Sequence, residues 1–136
     1  MKKGVVEVRV RYAETDQMGV VYHSNYLNYL ELGRVEWLRS LGYSYAELEK
    51  KGVLLPVVHA ELNYRFPARY DELIRVETEV SSMGKSSIEF SSQLFNEKDA
   101  LVLEGKVRLV CLNADAFKPI SIPEDLRSLI SDVMNV

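Results

Sequence analysis

Cysteine, histidine and long apolar runs are scarce in this sequence, and each shortage excludes a class of protein. Cys111 is the single cysteine among 136 residues, so no internal disulfide can form, which is typical of a reducing compartment. The histidines are just His23 and His59, and no Cys/His cluster has the spacing of zinc ligands, so we predict neither a metal nor a cofactor. No apolar run is long enough to span a bilayer, and residues 1–12 lack the apolar stretch of a signal peptide. We therefore expect a cytoplasmic protein.

Charge of one sign is also lacking. The formal net charge is −3, so the chain has no overall positive field with which to hold a nucleic acid, and we expect no such partner. The 47% hydrophobic and 27% charged content, with only 4 prolines and 7 glycines, is ordinary for a globular protein and excludes a disordered chain. We expect residues 1–136 to form a single domain with its own core.

The pattern of the first third of the chain predicts a strand followed by a long helix. Apolar and charged residues alternate over residues 5–12, the period of a half-buried strand. Residues 26–41 carry leucines, including Leu27, and a tryptophan at helical spacings, with Ser24 or Asn25 available as the N-cap. Gly33 inside this helix predicts a close approach to the sheet, since a glycine there costs about 1 kcal/mol relative to alanine.

The rest of the chain is dominated by strands. Ser44 and Glu47 form a capping-box pattern that opens a short helix, which Gly52 ends. Four alternating runs follow, which look like an antiparallel meander: residues 58–66, 74–80, 88–94 and 101–111. Pro123 then opens a terminal helix. This order predicts an α+β fold with a curled antiparallel sheet around one long central helix.

The loop between the first strand and the long helix is the best candidate for a reactive site. The sequence contains no nucleophile elbow, P-loop, zinc-protease or dinucleotide-binding motif. Asp16 and His23 lie in this loop, just before a helix N-terminus, whose unpaired N–H groups can hold a developing oxyanion. A carboxylate beside them can attack a thioester or deprotonate water, although an Asp in such a loop also serves as a turn or capping residue. His23 could act as a general base or through its backbone N–H.

Residues 11–26, RYAETDQMGVVYHSNY, strongly resemble the signature of the 4-hydroxybenzoyl-CoA thioesterase family. They look closest to its branch of bacterial acyl-CoA thioesterases linked to the Tol-Pal cluster, and the likeness continues through residues 31–36, 64–73 and 107–111. The resemblance implies a hotdog fold, homodimers joined by sheet edges or homotetramers, and active sites at the dimer interface. It also implies that Asp16 is the base or nucleophile and that the His23 N–H polarises the thioester carbonyl.

The resemblance also directs attention to the substrate contacts. We assign substrate binding to Tyr22, Asn25 and Tyr26 in the same loop, and to Lys85 and Ser86 farther along the chain. Aromatic-specific members carry a basic cluster after the second strand of the meander, where this sequence has Lys85 alone among residues 82–87. The acyl specificity, and the choice between acyl-CoA and acyl carrier protein, therefore stay open.

Two other functions compete with thioester hydrolysis. One is a hotdog dehydratase or hydratase, which brings a histidine and a carboxylate together, but His59 does not lie in a comparable loop. The other is a non-catalytic acyl-binding scaffold subunit. The presence of Asp16 argues against this second hypothesis, because an inactive relative is expected to have lost this carboxylate.

Overall fold

The computed structural model describes residues 3–134, which form an antiparallel sheet with a long helix packed on it. The strands are β1 (Gly4–Arg9), β2 (Val53–Leu54), β3 (Val57–Tyr64), β4 (Leu73–Met83), β5 (Ser87–Phe95), β6 (Leu101–Val110) and β7 (Leu112–Asn113). The helices are α1 (Tyr26–Ser40), α2 (Tyr45–Lys50) and α3 (Glu124–Met134), and two short 3-10 turns, Tyr12–Glu14 and His23–Asn25, lie between β1 and α1. The predicted α+β class and all three helices are confirmed.

The strand order corrects the expected meander. Five antiparallel strands pair in the order β1-β4-β5-β6-β3, and β2 pairs with β7 separately. Strands β4, β5 and β6 do form a meander, but β3 pairs with β6 at the far edge, with Tyr64 opposite Leu103. Alternation shows which side chains share a face and not which strand lies alongside, so the sequence pattern could not reveal this crossover. Residues 65–72 make the return connection from one edge towards the other.

Helix α1 lies close against the sheet. Its Trp37 is 1% exposed, and the indole meets the ring of Phe90 on β5 edge-on, with ring centroids 5.7 Å apart. Gly33 faces β4 so closely that an added Cβ would lie 2.5 Å from Oγ1 of Thr78. The close approach expected at Gly33 is therefore confirmed, and it fixes how the helix that follows the site loop sits on the sheet.

The first strand is shorter than expected. β1 ends at Arg9, because the next residue, Val10, exchanges backbone hydrogen bonds with the connection that precedes β4. The N–H of Val10 donates to the carbonyl of Glu72 at 2.9 Å, and its carbonyl accepts from the N–H of Asp71 at 3.0 Å. Residues 11 onwards are thereby released from the sheet and are available to form the site loop.

The start of α1 also departs from the prediction. No side chain caps its N-terminus; the amide of Asn25 instead donates from Nδ2 to the backbone carbonyl of Glu14 at 2.9 Å. Leu27, expected on the buried face, is 41% exposed because Tyr26 and Tyr29 occupy that face. The hydroxyl of Tyr29 bonds to Glu14 in the site loop, and that of Tyr26 bonds to Ala68 in the connection between β3 and β4.

Other local predictions are confirmed. Ser44 caps α2 by accepting from the N–H of Glu47 at 3.3 Å, and Gly52 follows α2 with a φ of +76°. Cys111 is buried between β6 and β7, as expected for a small interior residue. None of the helices within residues 3–134 has the length and apolar character needed to cross a membrane.

Candidate active site

A cavity of about 320 Å³ lies where the site loop meets the end of β3. Most of its walls are apolar, and the polar side chains among them are those of Asp16, His23 and Arg65 and the phenols of two tyrosines. The lining residues are Asp16, Met18, Val20, Val21, His23, Tyr26, Tyr64, Arg65, Phe66 and Pro67. The two proposed catalytic residues therefore face one cavity, in surroundings that can accommodate an acyl group.

Asp16 is held by a tight turn of the loop. Its backbone N–H donates to the carbonyl of Val20 at 2.9 Å, and its carbonyl accepts from the N–H of Gly19 at 3.0 Å. Gly19 has a φ of +79°, a conformation that glycine adopts without steric cost. The carboxylate atom Oδ1 accepts from the N–H of Met18 at 2.9 Å, whereas no donor within residues 3–134 contacts Oδ2. One carboxylate oxygen is thus oriented by the loop, and the other is available to a substrate or a water.

The backbone around His23 offers N–H groups at the entrance to α1. The N–H of Tyr22 donates to the carbonyl of Glu14 and that of Asn25 to the carbonyl of Tyr22, both at 2.9 Å. In the described part of the chain, no group accepts a hydrogen bond from the N–H of His23 or of Ser24. Donors of this kind at a helix start can stabilise an oxyanion. The imidazole of His23 is exposed and lies against the ring of Tyr22, with centroids 4.5 Å apart.

Two phenols border the same cavity. Tyr26 is 4% exposed, and its hydroxyl accepts from the N–H of Ala68 at 3.3 Å. Burial raises the pKa of Tyr26 despite the opposing effect of the hydrogen bond from Ala68, so the phenol stays neutral at physiological pH. The ring of Tyr64 lies 5.7 Å from that of Tyr26, and its hydroxyl donates to the carbonyl of His23 at 3.4 Å. Tyr64 thus bonds directly to the loop, and Tyr26 bonds to the connection after β3, which itself pairs with the loop through Arg69 and Val20.

The remaining residues assigned from sequence lie outside the cavity lining. Tyr22 is 48% exposed and stacks on His23, and Asn25 bonds to Glu14. Lys85 and Ser86 occupy the turn between β4 and β5, at the other end of the sheet. Most of β5 separates them from the cavity: from Ser87 to Leu94, which through Leu103 is level with Tyr64, is about 24 Å at 3.4 Å per residue.

Sequence reasoning missed the wall formed by residues 64–67. These residues lie at the end of β3 and in the connection behind it, and the stretch 64–73 was part of the family resemblance. Arg65 is the one cation among them, and its Nε donates to Oε1 of Glu104 at 3.0 Å, so its charge is already paired. Within residues 3–134, no three His, Cys, Asp or Glu side chains converge as metal ligands.

This fold and site define a member of a thioesterase family. Residues 10–130 match the Thioesterase-like superfamily, so the chain belongs to that family. YneP of Bacillus subtilis is 40% identical over 114 residues, which cover 84% of this chain and 83% of YneP. YbgC of Escherichia coli O157:H7, an acyl-CoA thioester hydrolase, is 34% identical over 119 residues, covering 88% of this chain and 89% of YbgC.

A solved structure supports the same conclusion. The DHNA-CoA thioesterase from Staphylococcus aureus superposes with a TM-score of 0.95 at 36% sequence identity, covering 99% of this chain and 93% of that one. The hotdog fold predicted from sequence is confirmed, as is the class of enzyme, a thioester hydrolase.

Proposed function

We propose that residues 1–136 act as a single-domain acyl-CoA thioesterase in which Asp16 carries the chemistry. The observation that supports this most is the shared cavity: Asp16, whose Oδ2 accepts no hydrogen bond from residues 3–134, lines the same largely apolar space as His23, whose N–H has no acceptor among those residues. The thioester carbonyl lies against the N–H of His23, which stabilises the negative charge that develops on its oxygen. The names of YbgC and of the Staphylococcus aureus enzyme support a CoA ester as substrate.

Two mechanisms use Asp16 in this position. As a general base, its carboxylate takes a proton from water, the resulting hydroxide adds to the carbonyl carbon, and the CoA thiolate leaves and is then protonated. As a nucleophile, a carboxylate oxygen adds directly and expels the thiolate, and water then hydrolyses the mixed anhydride. Both need the same two parts, a carboxylate and an oxyanion donor on opposite sides of one carbonyl group.

The carrier is bound farther from the reacting bond. We assign Lys85 and Ser86 to the carrier, with Lys85 at a phosphate of CoA, because both lie outside the cavity lining and Lys85 is the one cation in the turn between β4 and β5. Tyr22, exposed beside His23, contacts the substrate at the mouth of the cavity. We place the chain among the 4-hydroxybenzoyl-CoA thioesterase relatives, in the branch linked to the Tol-Pal cluster, and in the cytoplasm. An acyl carrier protein ester is the alternative substrate.

The proposed enzyme works as a homodimer or homotetramer. Strand β3 is an edge strand, and its side chains are exposed on both faces, with Val57 47% and Val58 56% exposed. An uncovered edge of this kind invites pairing with a second chain. Because the cavity wall continues from the end of β3, a partner along this edge would border the active site. Light scattering at micromolar concentration should find a dimer or tetramer, and a monomer alone would contradict this assembly.

The experiment that tests the function combines a substrate panel with one substitution. Wild-type protein is assayed on short, medium, long and aromatic acyl-CoA esters, and then Asp16→Asn on the best of them. The substitution keeps the shape and one acceptor for the Met18 N–H but removes the charge, so kcat should fall by about two orders of magnitude or more. His23→Ala should cost less, since a substitution leaves the backbone N–H in place.

Asp115→Asn is the matched control, because this carboxylate is exposed in the loop after β7. It should hydrolyse esters like the wild type. A folded, oligomeric Asp16→Asn that kept most of its kcat while His23→Ala lost activity would make His23 the base instead. Wild-type protein inactive on the whole panel, but binding acyl-CoA, would indicate an acyl-binding scaffold.

A further inference from the structure

The geometry points to Glu14 as a positioning residue that sets the spacing between the Asp16 carboxylate and the His23 N–H. This inference rests on the proposed function of those two groups. Glu14 itself does not line the cavity. It is instead bonded to both ends of the site loop and to α1, through its backbone carbonyl and its carboxylate.

The backbone carbonyl of Glu14 holds the His23 end of the loop. It accepts from the N–H of Tyr22 at 2.9 Å and from Nδ2 of Asn25, also at 2.9 Å. His23 lies between these two donors in the sequence. Its N–H is therefore presented by a segment that is bonded on both sides to one acceptor.

The carboxylate of Glu14 holds the other end. Its Oε1 accepts from the N–H of Arg11 at 2.8 Å and from the hydroxyl of Tyr29 at 3.0 Å, and its Oε2 accepts from the Arg11 guanidinium at 3.4 Å. The Glu14 side chain is only 12% exposed. Burial raises the pKa of Tyr29, and its hydrogen bond to Glu14 raises it further, so the phenol keeps the proton that it donates.

Through these bonds, the position of α1 determines the positions of Asp16 and His23. Asp16 follows Glu14 by two residues, and Thr15 between them bonds to Tyr12 and pairs with Val21. A displacement of Glu14 relative to Tyr29 must therefore move Asp16, the His23 segment, or both. Reacting groups tolerate little misplacement, since about 1 Å can cost 100-fold in rate.

The test compares kcat and KM for Glu14→Ala, Glu14→Gln and Tyr29→Phe with those of Asp16→Asn. We expect kcat to fall about 100-fold in Glu14→Ala and about tenfold in Tyr29→Phe, with KM within about twofold of wild type. The alignment of the reacting groups is lost, whereas the cavity walls that bind the substrate remain. Glu14→Gln retains an Oε1 acceptor and should restore kcat to within about threefold of wild type. The matched control is Tyr45→Phe, which removes another half-buried phenol, one that accepts from Nε of Arg34 at 3.2 Å outside the site.

Amide hydrogen exchange of residues 12–26 gives a readout that does not need activity. Exchange at Tyr22 and Asn25 should accelerate in Glu14→Ala and Tyr29→Phe and stay unchanged in Tyr45→Phe. A structural role alone would lower Tm in all three variants alike and leave kcat and the loop exchange unaltered, which would overturn the inference. If Glu14→Ala does not fold, Tyr29→Phe decides the outcome through its kcat and loop exchange, both compared with Tyr45→Phe.

The same set separates the inference from the proposed function. An inactive Asp16→Asn beside a fully active Tyr29→Phe and Glu14→Ala would refute positioning by Glu14 and leave the thioesterase site intact. An active Asp16→Asn would refute the proposed site, and with it the claim that Glu14 positions a catalytic pair, whatever the exchange data show.

Discussion

Gly33 offers the sharpest test of how α1 is seated, because two effects of opposite sign meet there. Replacing a glycine inside a helix by alanine normally stabilises the helix by about 1 kcal/mol. At this position, however, the new Cβ would lie 2.5 Å from Oγ1 of Thr78 and 2.9 Å from a methyl carbon of Val76. Both neighbours are on β4 and are buried, at 1% and 0% exposure. The helix or the strand must move to admit the methyl group.

The steric effect should win. Overpacking of an interior site costs about 1–3 kcal/mol. Thr78 also shares a buried hydrogen bond of 2.9 Å with Ser92, and a rotation of Thr78 that relieves the clash would break it. A buried polar group left without its partner costs about 1–3 kcal/mol more. Against a helix gain of about 1 kcal/mol, Gly33→Ala should lower the free energy of unfolding by about 1 kcal/mol at the least.

Thermal unfolding at one fixed protein concentration measures this effect, since an oligomer's Tm depends on concentration. For a chain of this size, each kcal/mol should lower Tm by about 3–5 °C. Thr78→Ala completes a double-mutant cycle. In the Thr78→Ala background, Gly33→Ala should lower the free energy of unfolding by at least about 0.5 kcal/mol less, because the nearest contact is gone. A Gly33→Ala protein with a raised Tm, or with the same cost in both backgrounds, would refute the proposed contact.

Two further predictions concern the carrier and the buried thiol. Lys85→Ala should raise KM for acyl-CoA more than it lowers kcat, and the rise in KM should shrink with added salt. The control Lys50→Ala, at an exposed lysine, should leave KM and kcat unchanged. If Lys85→Ala and the wild type have equal KM values at all ionic strengths, Lys85 does not belong to the carrier site. Burial raises the pKa of the Cys111 thiol from 9.0 to about 11, so the stability it contributes is full below pH 9 and is lost as pH rises towards 11. Denaturant midpoints should fall more over that range for the wild type than for Cys111→Ala, and parallel curves would contradict the shift.

The elements that the sequence predicts well are those with a long, regular period. Strands β4 and β5 alternate more and less buried positions with the period of two seen in their sequence. The bounds of α1 and of β4 to β6 differ from the predicted ones by only a few residues. Errors fall at Leu27 and at the end of β1. There, long-range contacts override the local period: Tyr26 and Tyr29 are buried against Ala68 and Glu14, to which they bond, and Val10 bonds to the connection before β4.

The structure places two of the predicted site residues, Asp16 and His23, on one cavity, and their catalytic roles stay predictions. They are singled out because a strand, a loop and a helix start follow one another in the chain and because residues 11–26 resemble a family signature. The role proposed for Glu14 is not recognisable from sequence, since a glutamate in a charged loop carries no sign that it is 12% exposed or that Tyr29, on the next helix, donates to it. This contact between the site loop and α1 depends on how α1 packs against the sheet.

The misjudged strand order and the missed cavity wall have one physical origin. Because β3 pairs with β6 at the far edge, the chain must return across the end of the sheet before β4 can begin, and residues 65–72 make that return. On the way, Ala68 accepts from the N–H of Val21 at 2.8 Å and donates its own N–H to Tyr26, while Arg69 pairs with Val20. The crossover therefore supplies both a wall of the cavity and the backbone partners that hold the Asp16 loop against it. A consecutive four-strand meander would place the end of β3 next to β4 and leave the loop without this support, so the edge position of β3 is a condition for the site as well as a feature of the fold.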